Sequence, residues 1–375
     1  MLNLIIKYNT PATQAPPHTF SKSVKTRVIH SQPWLAYVGC RTTRERNASG
    51  RGLAVYRIDS AGSWRSIQLV DGLRNPSFLC LHPSRPRLYV VHGDFSEIST
   101  FDIASDGRLG KCAEASTQGT NPVHLALTPS LRWLLVANYA SGSVAAMRVS
   151  DDGSLGAVAS LLKLPGEPGP HAQHDSSHPH QICIAPDGRY ALVPDKGLDT
   201  VFALEVHEDT GRLSIAASSP MPKGSGPRHM VFHPQQPLAY IVGELGRCVL
   251  SARFDSGSGA LEVMRSASTV PGDISQGSAA GIAISQDESR LFVSNRGHDS
   301  VAIYPLDSAG QLGEASWVAA GRTPRFIATH PADGTLVVAC EEDHSIAALD
   351  SAECSLQTLA QTGSPVCIAF RKENL

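Results

Sequence analysis

The sequence predicts an all-β chain. It should form a seven-bladed β-propeller with four antiparallel strands per blade, its ring closed by pairing of the N- and C-terminal segments. Three observations carry this. A unit recurs down the chain, with anchor residues Pro76, Pro122, Pro179, Pro227, Ala279, Pro324 and Pro365 spaced by 41 to 57 residues. A period of ~40–50 residues is the signature of propellers and solenoids. Each unit reads as short apolar runs separated by turn residues, and half units stand at the two ends of the chain.

The elements follow in order. "NPSFLCLHPSRPRLYVVHGDFSEISTFDIASDGRLG" begins at Asn75, and "NPVHLALTPSLRWLLVANYASGSVAAMRVSDDGSLG" at Asn121. Both read as an apolar strand, a Pro-centred turn, a second apolar strand, a third strand, and an xDGxL turn into a fourth. Units of the same form start at His178, Gly226, Ser278 and Thr323. The half unit "SPVCIAF" ends the chain, and "WLAYVGC" with "GLAVYRIDSAG" opens it. Pairing the last segment with the first closes the ring and removes two exposed sheet edges. Residues 31–375 therefore make one propeller domain. Residues 1–30 carry no acidic side chain and are expected to be a flexible extension.

Composition narrows the function. The 375 residues carry a formal net charge of −2, so no global basic field points to nucleic acid or an anionic membrane. No apolar run approaches the ~18 residues of a membrane span. The eight cysteines are scattered without a CxxC motif, which suits reduced thiols and a cytoplasmic protein.

In a blade, the start of the innermost strand A and the end of strand B meet at one face of the disk, beside the central channel. The residue after each anchor gives Ser77, Val123, His180, Arg228, Ala280, Arg325 and Val366. The residue ten after the A–B turn proline gives Gly93, Tyr139, Lys196, Glu244, Arg296 and Glu341. One step earlier stand His92, Asn138, Asp195, Gly243, Asn295 and Cys340. Apolar strands turn polar at these ends, as in "LLVANY" and "LFVSNR". Such a mouth suits a small anion and a proton-transfer pair. Its expected substrate-binding residues are Asn138, Tyr139, His178, Asp195, His229, Asn295 and Arg325.

The stretch "HAQHDSSHPHQ" at 171–181 holds His171, His174, His178 and His180. His180 falls in the strand-A column and is the functional candidate, with His178 second. His171 and His174 fall in the insertion that makes this spacing the longest. The spacings His171-x-x-His174 and His178-x-His180, with Asp175 between them, would admit a metal. No HExxH or Cys/His pairing supports one, so neither metal nor cofactor is expected. There is likewise no P-loop, dinucleotide fingerprint or GxSxG elbow.

The phrases "HPHQICIAPDGRYALVPDKGLD", "GSGPRHMVFHP", "AYIVGEL", "LLVANYASGSV", "LFVSNRGHDSVAIY" and "GRTPRF" resemble the bacterial seven-bladed 6-phosphogluconolactonase family. That family is similar in fold to the fungal 3-carboxy-cis,cis-muconate lactonizing enzyme. The resemblance covers about residues 34 to 372. It implies that the family's site histidine is His180, its strand-A arginine Arg228, its acidic residue Glu244 and its second arginine Arg296. The chain departs at Gly243, where Asn is frequent, and at His92-Gly93, where an acidic residue is frequent.

The function expected is a hydrolase opening an anionic, sugar-derived lactone, 6-phosphogluconolactone above all, without a cofactor. His180 or Glu244 would act as general base toward water, while Arg228 and Arg296 would hold the substrate anion and stabilise the oxyanion. The alternatives are a carboxymuconate-type cycloisomerase and a non-enzymatic interaction platform. The partner expected is the small anionic lactone, with no nucleic acid and no membrane, and the protein a monomer or weak dimer.

Overall fold

Apolar runs of five to seven residues cannot bury both faces unless sheets stack on both sides of them, and the B and C strands are such runs. The computed structural model describes residues 32–172, 175–272, 274, 276–350 and 355–373. Within them, seven four-stranded antiparallel sheets follow one another round a ring. Strand B of the second blade, Trp133–Asn138, is buried at all six positions. The outermost strands, such as Leu155–Lys163, alternate exposed and half-buried residues, since only one of their faces meets a neighbouring blade. Seven apolar clusters fill the interfaces between adjacent blades, one per interface.

We number the blades from the first complete unit. Blade 1 starts at Pro76, blade 2 at Pro122, blade 3 at Pro179, blade 4 at Pro227, blade 5 at Ser278 and blade 6 at Pro324. Blade 7 is the composite. Its innermost strand, Pro365–Lys372, pairs antiparallel with Trp34–Cys40, with Val38 opposite Ile368. Gly52–Ile58 and Trp64–Asp71 complete it. Arg57 Nη2 meets Glu373 Oε1 at 2.6 Å, latching the C-terminus to the third strand of the composite blade. The expected extension, residues 1–30, lies outside the described residues.

Tyrosine side chains lock three of the seams between blades. Tyr37, Tyr89 and Tyr240 donate their hydroxyls to the carbonyls of Gly107, Gly153 and Gly310. Those glycines take φ of 85°, 82° and 74° in the turns between third and fourth strands, a backbone state that costs other residues energy. The turn glycine therefore serves both the hairpin and the seam between blades.

Candidate active site

The top of each inner strand is irregular in the same way. The A–B pairing slips between Pro76 and Phe78, Pro122 and His124, Pro227 and Met230, Ala279 and Ile282, and Pro324 and Phe326. In blade 7, Cys40 pairs with Pro365 and Gly39 with Cys367, leaving Val366 unpaired. In blade 3 strand A is reduced to Cys183–Ile184, and Pro179 touches Asp195 only as an isolated bridge. A bulge inserts an extra residue and re-aims its side chain. The column expected at the channel mouth is thus a ring of bulges. That is why the adjacent residues Arg228 and His229 both reach the cavity, which strict alternation along a strand would forbid.

The cavity has a volume of about 300 Å³. Six cationic side chains line it: Arg41, Arg46, Lys196, Arg228, Arg296 and Arg325. The carboxylates of Glu244 and Asp94 line it as well, and Glu341 lies against Arg41 and Arg325. Six cations against three carboxylates leave three positive charges in excess. The cations occupy consecutive blades 3 to 7. Blades 1 and 2 contribute a largely neutral wall that includes Ser77, Gly93, Val123 and Tyr139.

Glu244 is the hub of the first cluster. Its Oε1 accepts a hydrogen bond from Lys196 Nζ at 2.8 Å. Its Oε2 lies 2.9 Å from Arg228 Nε and 3.2 Å from Arg296 Nη2. Burial pushes its carboxyl up, but Arg296, Lys196 and Arg228 outweigh burial and hold it well below the ordinary carboxylate range. The arginines are also committed to backbone. Arg228 Nη1 donates to Ala280 O at 2.7 Å, and Arg296 Nη2 to Ala279 O at 3.2 Å. Burial lowers Arg228 to about 10, against the pull of Glu244.

His180 stands beside this cluster. Burial first, then Arg228, Lys196 and Arg325, push it well below the ordinary histidine range, so its ring is neutral at neutral pH. Its Nδ1 is buried without a hydrogen-bond partner among the described residues. Its ring meets Tyr139 edge-on at 5.6 Å and His229 at 5.2 Å. His178 does not line the cavity. It stacks on Tyr139 at 4.4 Å, donates from Nδ1 to Tyr139 O at 2.9 Å, and reaches Asp175 Oδ1 from Nε2.

The structure brings together His180, Glu244, Arg228, Arg296, Tyr139, His229 and Arg325. It does not bring Asn138, Asp195 or Asn295 to the cavity, and this corrects the expectation for that column. Successive strand residues face opposite sides of a sheet, so the residue before each lining position points behind the channel wall. There Asn138 Nδ2 bonds Ser143 Oγ and Asn295 Nδ2 bonds Thr269 O and Ser300 Oγ. Asp195 accepts from Ser177 Oγ and from the backbone N–H groups of His178, Gly197 and Leu198. These contacts clasp strand ends and the connections between blades. The two departures from the family pattern fall partly in this hidden column. His92 bonds Ser99 and Arg74 O, and a side chain at Gly243 would collide with Cys248 Sγ.

Sequence reasoning missed Arg41, Arg46 and Asp94. Arg41 follows Cys40 as Glu341 follows Cys340, and that parallel was the available signal. Arg46 and Asp94 enter from B–C connections, where they form a two-pronged pair. His171 lies away from the cavity lining, and His174 falls outside the described residues. Among the described residues, no group of three or more His, Cys, Asp or Glu side chains is placed to hold a metal ion.

Comparison with known proteins agrees with this geometry. Residues 35–370 match the family model "Lactonase, 7-bladed beta-propeller". The chain is 28% identical over 351 residues to the 6-phosphogluconolactonase of Bacillus subtilis, covering 90% of this chain and 98% of that one. It is 28% identical over 276 residues to the 6-phosphogluconolactonase of Cronobacter sakazakii, covering 72% and 79%. The periplasmic gluconolactonase of Pseudomonas aeruginosa superposes with a TM-score of 0.80 at 29% identity, covering 91% of this chain and all of that one. The match spans all seven blades and the cavity at their centre, and the chain belongs to the seven-bladed β-propeller lactonase family, a family of lactone-opening hydrolases.

Proposed function

We propose that this cavity hydrolyses a phosphorylated sugar lactone of the 6-phosphogluconolactone type. The observation that carries the reading is the excess of three positive charges around a cavity sized for a small molecule. A phosphate dianion takes two of them, and the oxyanion that develops at the reacting carbonyl takes the third. A neutral sugar lactone would leave buried cations uncompensated, which costs energy. The Bacillus and Cronobacter relatives bear the name of this activity.

His180 is the general base in this reading. It removes a proton from the attacking water while the water oxygen bonds to the lactone carbonyl carbon. Arg228, Arg296 and Lys196 face the oxyanion. Collapse of the tetrahedral intermediate breaks the bond to the ring oxygen, which takes the proton from His180, and the product ionises as a carboxylate. Glu244 is a poorer base, because three cations hold it ionised; it orients them instead. The cations that depress His180 are neutralised when the anionic substrate arrives, so substrate binding raises the basicity of the imidazole. The seven cysteines among the described residues are free thiols, which suits the cytoplasm. Among the described residues no helix is long and apolar enough to cross a membrane.

The test offers the purified protein fresh 6-phosphogluconolactone, unphosphorylated gluconolactone and 3-carboxymuconate, each corrected for its spontaneous reaction. The phosphorylated lactone should give the highest kcat/KM. A higher value for gluconolactone would remove the phosphate from the reading, and turnover of the muconate alone would replace it with a cycloisomerase.

A further inference from the structure

The cations of the cavity fall into two clusters with different degrees of commitment. Those of blades 3 to 5 are tied to Glu244 and to the carbonyls of Ala279 and Ala280. In blades 6 and 7, Arg46 pairs with Asp94, while Arg41 and Arg325 share a single carboxylate. Glu341 gives Oε1 to Arg41 Nη1 at 3.1 Å and leaves Oε2 3.8 Å from Arg325 Nε, beyond hydrogen-bond distance. The two guanidiniums are therefore held side by side by one carboxylate that satisfies neither in full. A guanidinium carries five N–H donors, so most of theirs remain for a ligand. Both side chains are largely enclosed, with 16% and 17% exposure, so their charge is poorly screened. Burial lowers both from the ordinary arginine range. For Arg325, Arg41, Arg296 and Arg228 add to the effect and Glu341 only partly offsets it.

We propose that Arg41 and Arg325 form a second anion subsite, a two-guanidinium clamp for the distal phosphoryl group of the substrate, separate from the oxyanion cluster around Glu244. This rests on the phosphorylated-lactone reading above. The division fits the ring. His180 and Glu244 set the reacting carbonyl against blades 3 to 5, and the distal end of an extended sugar then reaches blades 6 and 7. The neutral wall of blades 1 and 2, with Ser77 and Tyr139, faces the hydroxyl groups between. Glu341 is a positioning residue that sets the spacing of the two forks. Arginine suits the role because paired planar forks grip a tetrahedral anion through parallel hydrogen bonds. Neither Arg41 nor Arg325 is needed for the proton transfers, so the clamp determines specificity.

The test compares Arg41→Gln and Arg325→Gln with Arg228→Gln, using both lactones and inorganic phosphate. In the two clamp variants the ratio of kcat/KM for 6-phosphogluconolactone to that for gluconolactone should fall by about tenfold or more, mainly through KM. In Arg228→Gln both values should fall together and the ratio should hold within about threefold. Calorimetric titration with inorganic phosphate provides a readout independent of turnover. Its affinity should weaken by about tenfold in Arg41→Gln and less in Arg228→Gln. An unchanged ratio in both clamp variants, or phosphate binding lost more in Arg228→Gln, would overturn the subsite. If the native protein prefers the unphosphorylated lactone, the functional reading fails, and the phosphate titration still decides whether Arg41 and Arg325 bind an anion. Circular dichroism of each variant separates loss of the clamp from loss of the fold. Should Arg325→Gln fail to fold, Arg41→Gln decides alone, since Arg41 makes one ion pair at the rim of the closing blade.

Discussion

Replacing Glu244 by Gln keeps the shape of the side chain and removes the charge that three cations share. Lys196 lies at 2.8 Å, Arg228 at 2.9 Å and Arg296 at 3.2 Å, and the Glu244 side chain is only 9% exposed. Removing one partner of a buried ion pair costs ~3–5 kcal/mol, because the charges left behind stay out of water. The unfolding entropy of a chain this size is on the order of 0.7 kcal/mol per degree, at ~2 cal/mol/K per residue. The melting temperature should therefore fall by about 4–7 °C at pH 7. The pH dependence has a definite sign. Glu244 is held below its unfolded value near 4.5, so its contribution is complete above that pH and is lost as the pH falls toward the folded value. The gap between wild type and variant should be constant from pH 6 to 8 and should narrow below about 4.5. Added phosphate should stabilise the variant more than the wild type, since it supplies the missing negative charge. Differential scanning fluorimetry across pH and phosphate concentration reads all three effects. An unchanged melting temperature, or a gap that stays constant down to pH 4, would show that Glu244 does not carry the charge of this cluster.

Arg228→Ala and Arg296→Ala should each lower kcat/KM on the true substrate by ~2–4 kcal/mol of transition-state stabilisation, and Arg→Lys should recover only part of it; steady-state kinetics reads both. Deleting residues 364–375 removes the innermost strand of the composite blade and the Arg57–Glu373 latch, so the truncated chain should lose its cooperative thermal transition. His124 is lowered to about 3 by burial and then by Arg228. Its neutral form stabilises the fold above pH 6.5, and that stability is lost as the pH falls from 6.5 toward 3, at up to ~1.4 kcal/mol per pH unit. His124 packs against Phe78 with the two rings tilted, and His124→Phe should flatten the loss of stability between pH 6.5 and 4 in denaturant titrations.

Much of the fold was legible because a propeller repeats its instructions. The anchors, the A–B turns and the Gly-bearing turns before the fourth strands recur down the chain, and half units at both ends imply closure. The cavity was legible to the extent that it is built from two columns, which placed His180, Glu244, Arg228, Arg296, Tyr139, Lys196 and Arg325 at one mouth. Two physical features limited the reading. Side chains alternate along strand B, so Asn138, Asp195 and Asn295 had to face away once their neighbours faced in. The columns were also counted from the A–B turn, and blade 7 has none, because the chain ends where that turn would be. Arg41 therefore had no number from which to be counted. Arg46 and Asp94 arrive from connections outside any column, and only the folded chain sets them beside the bulges.

In the proposed reaction His180 moves the proton, and its neutral ring at the cavity wall is the point on which the mechanism turns. Steady-state kinetics of the wild type and His180→Ala on fresh 6-phosphogluconolactone, corrected for spontaneous hydrolysis, tests this most directly. The account predicts a fall in kcat of ~10²–10⁴-fold with KM nearly unchanged, as expected of a group that acts in the transition state. A variant that keeps the wild-type kcat, or that loses activity only through KM, would contradict it.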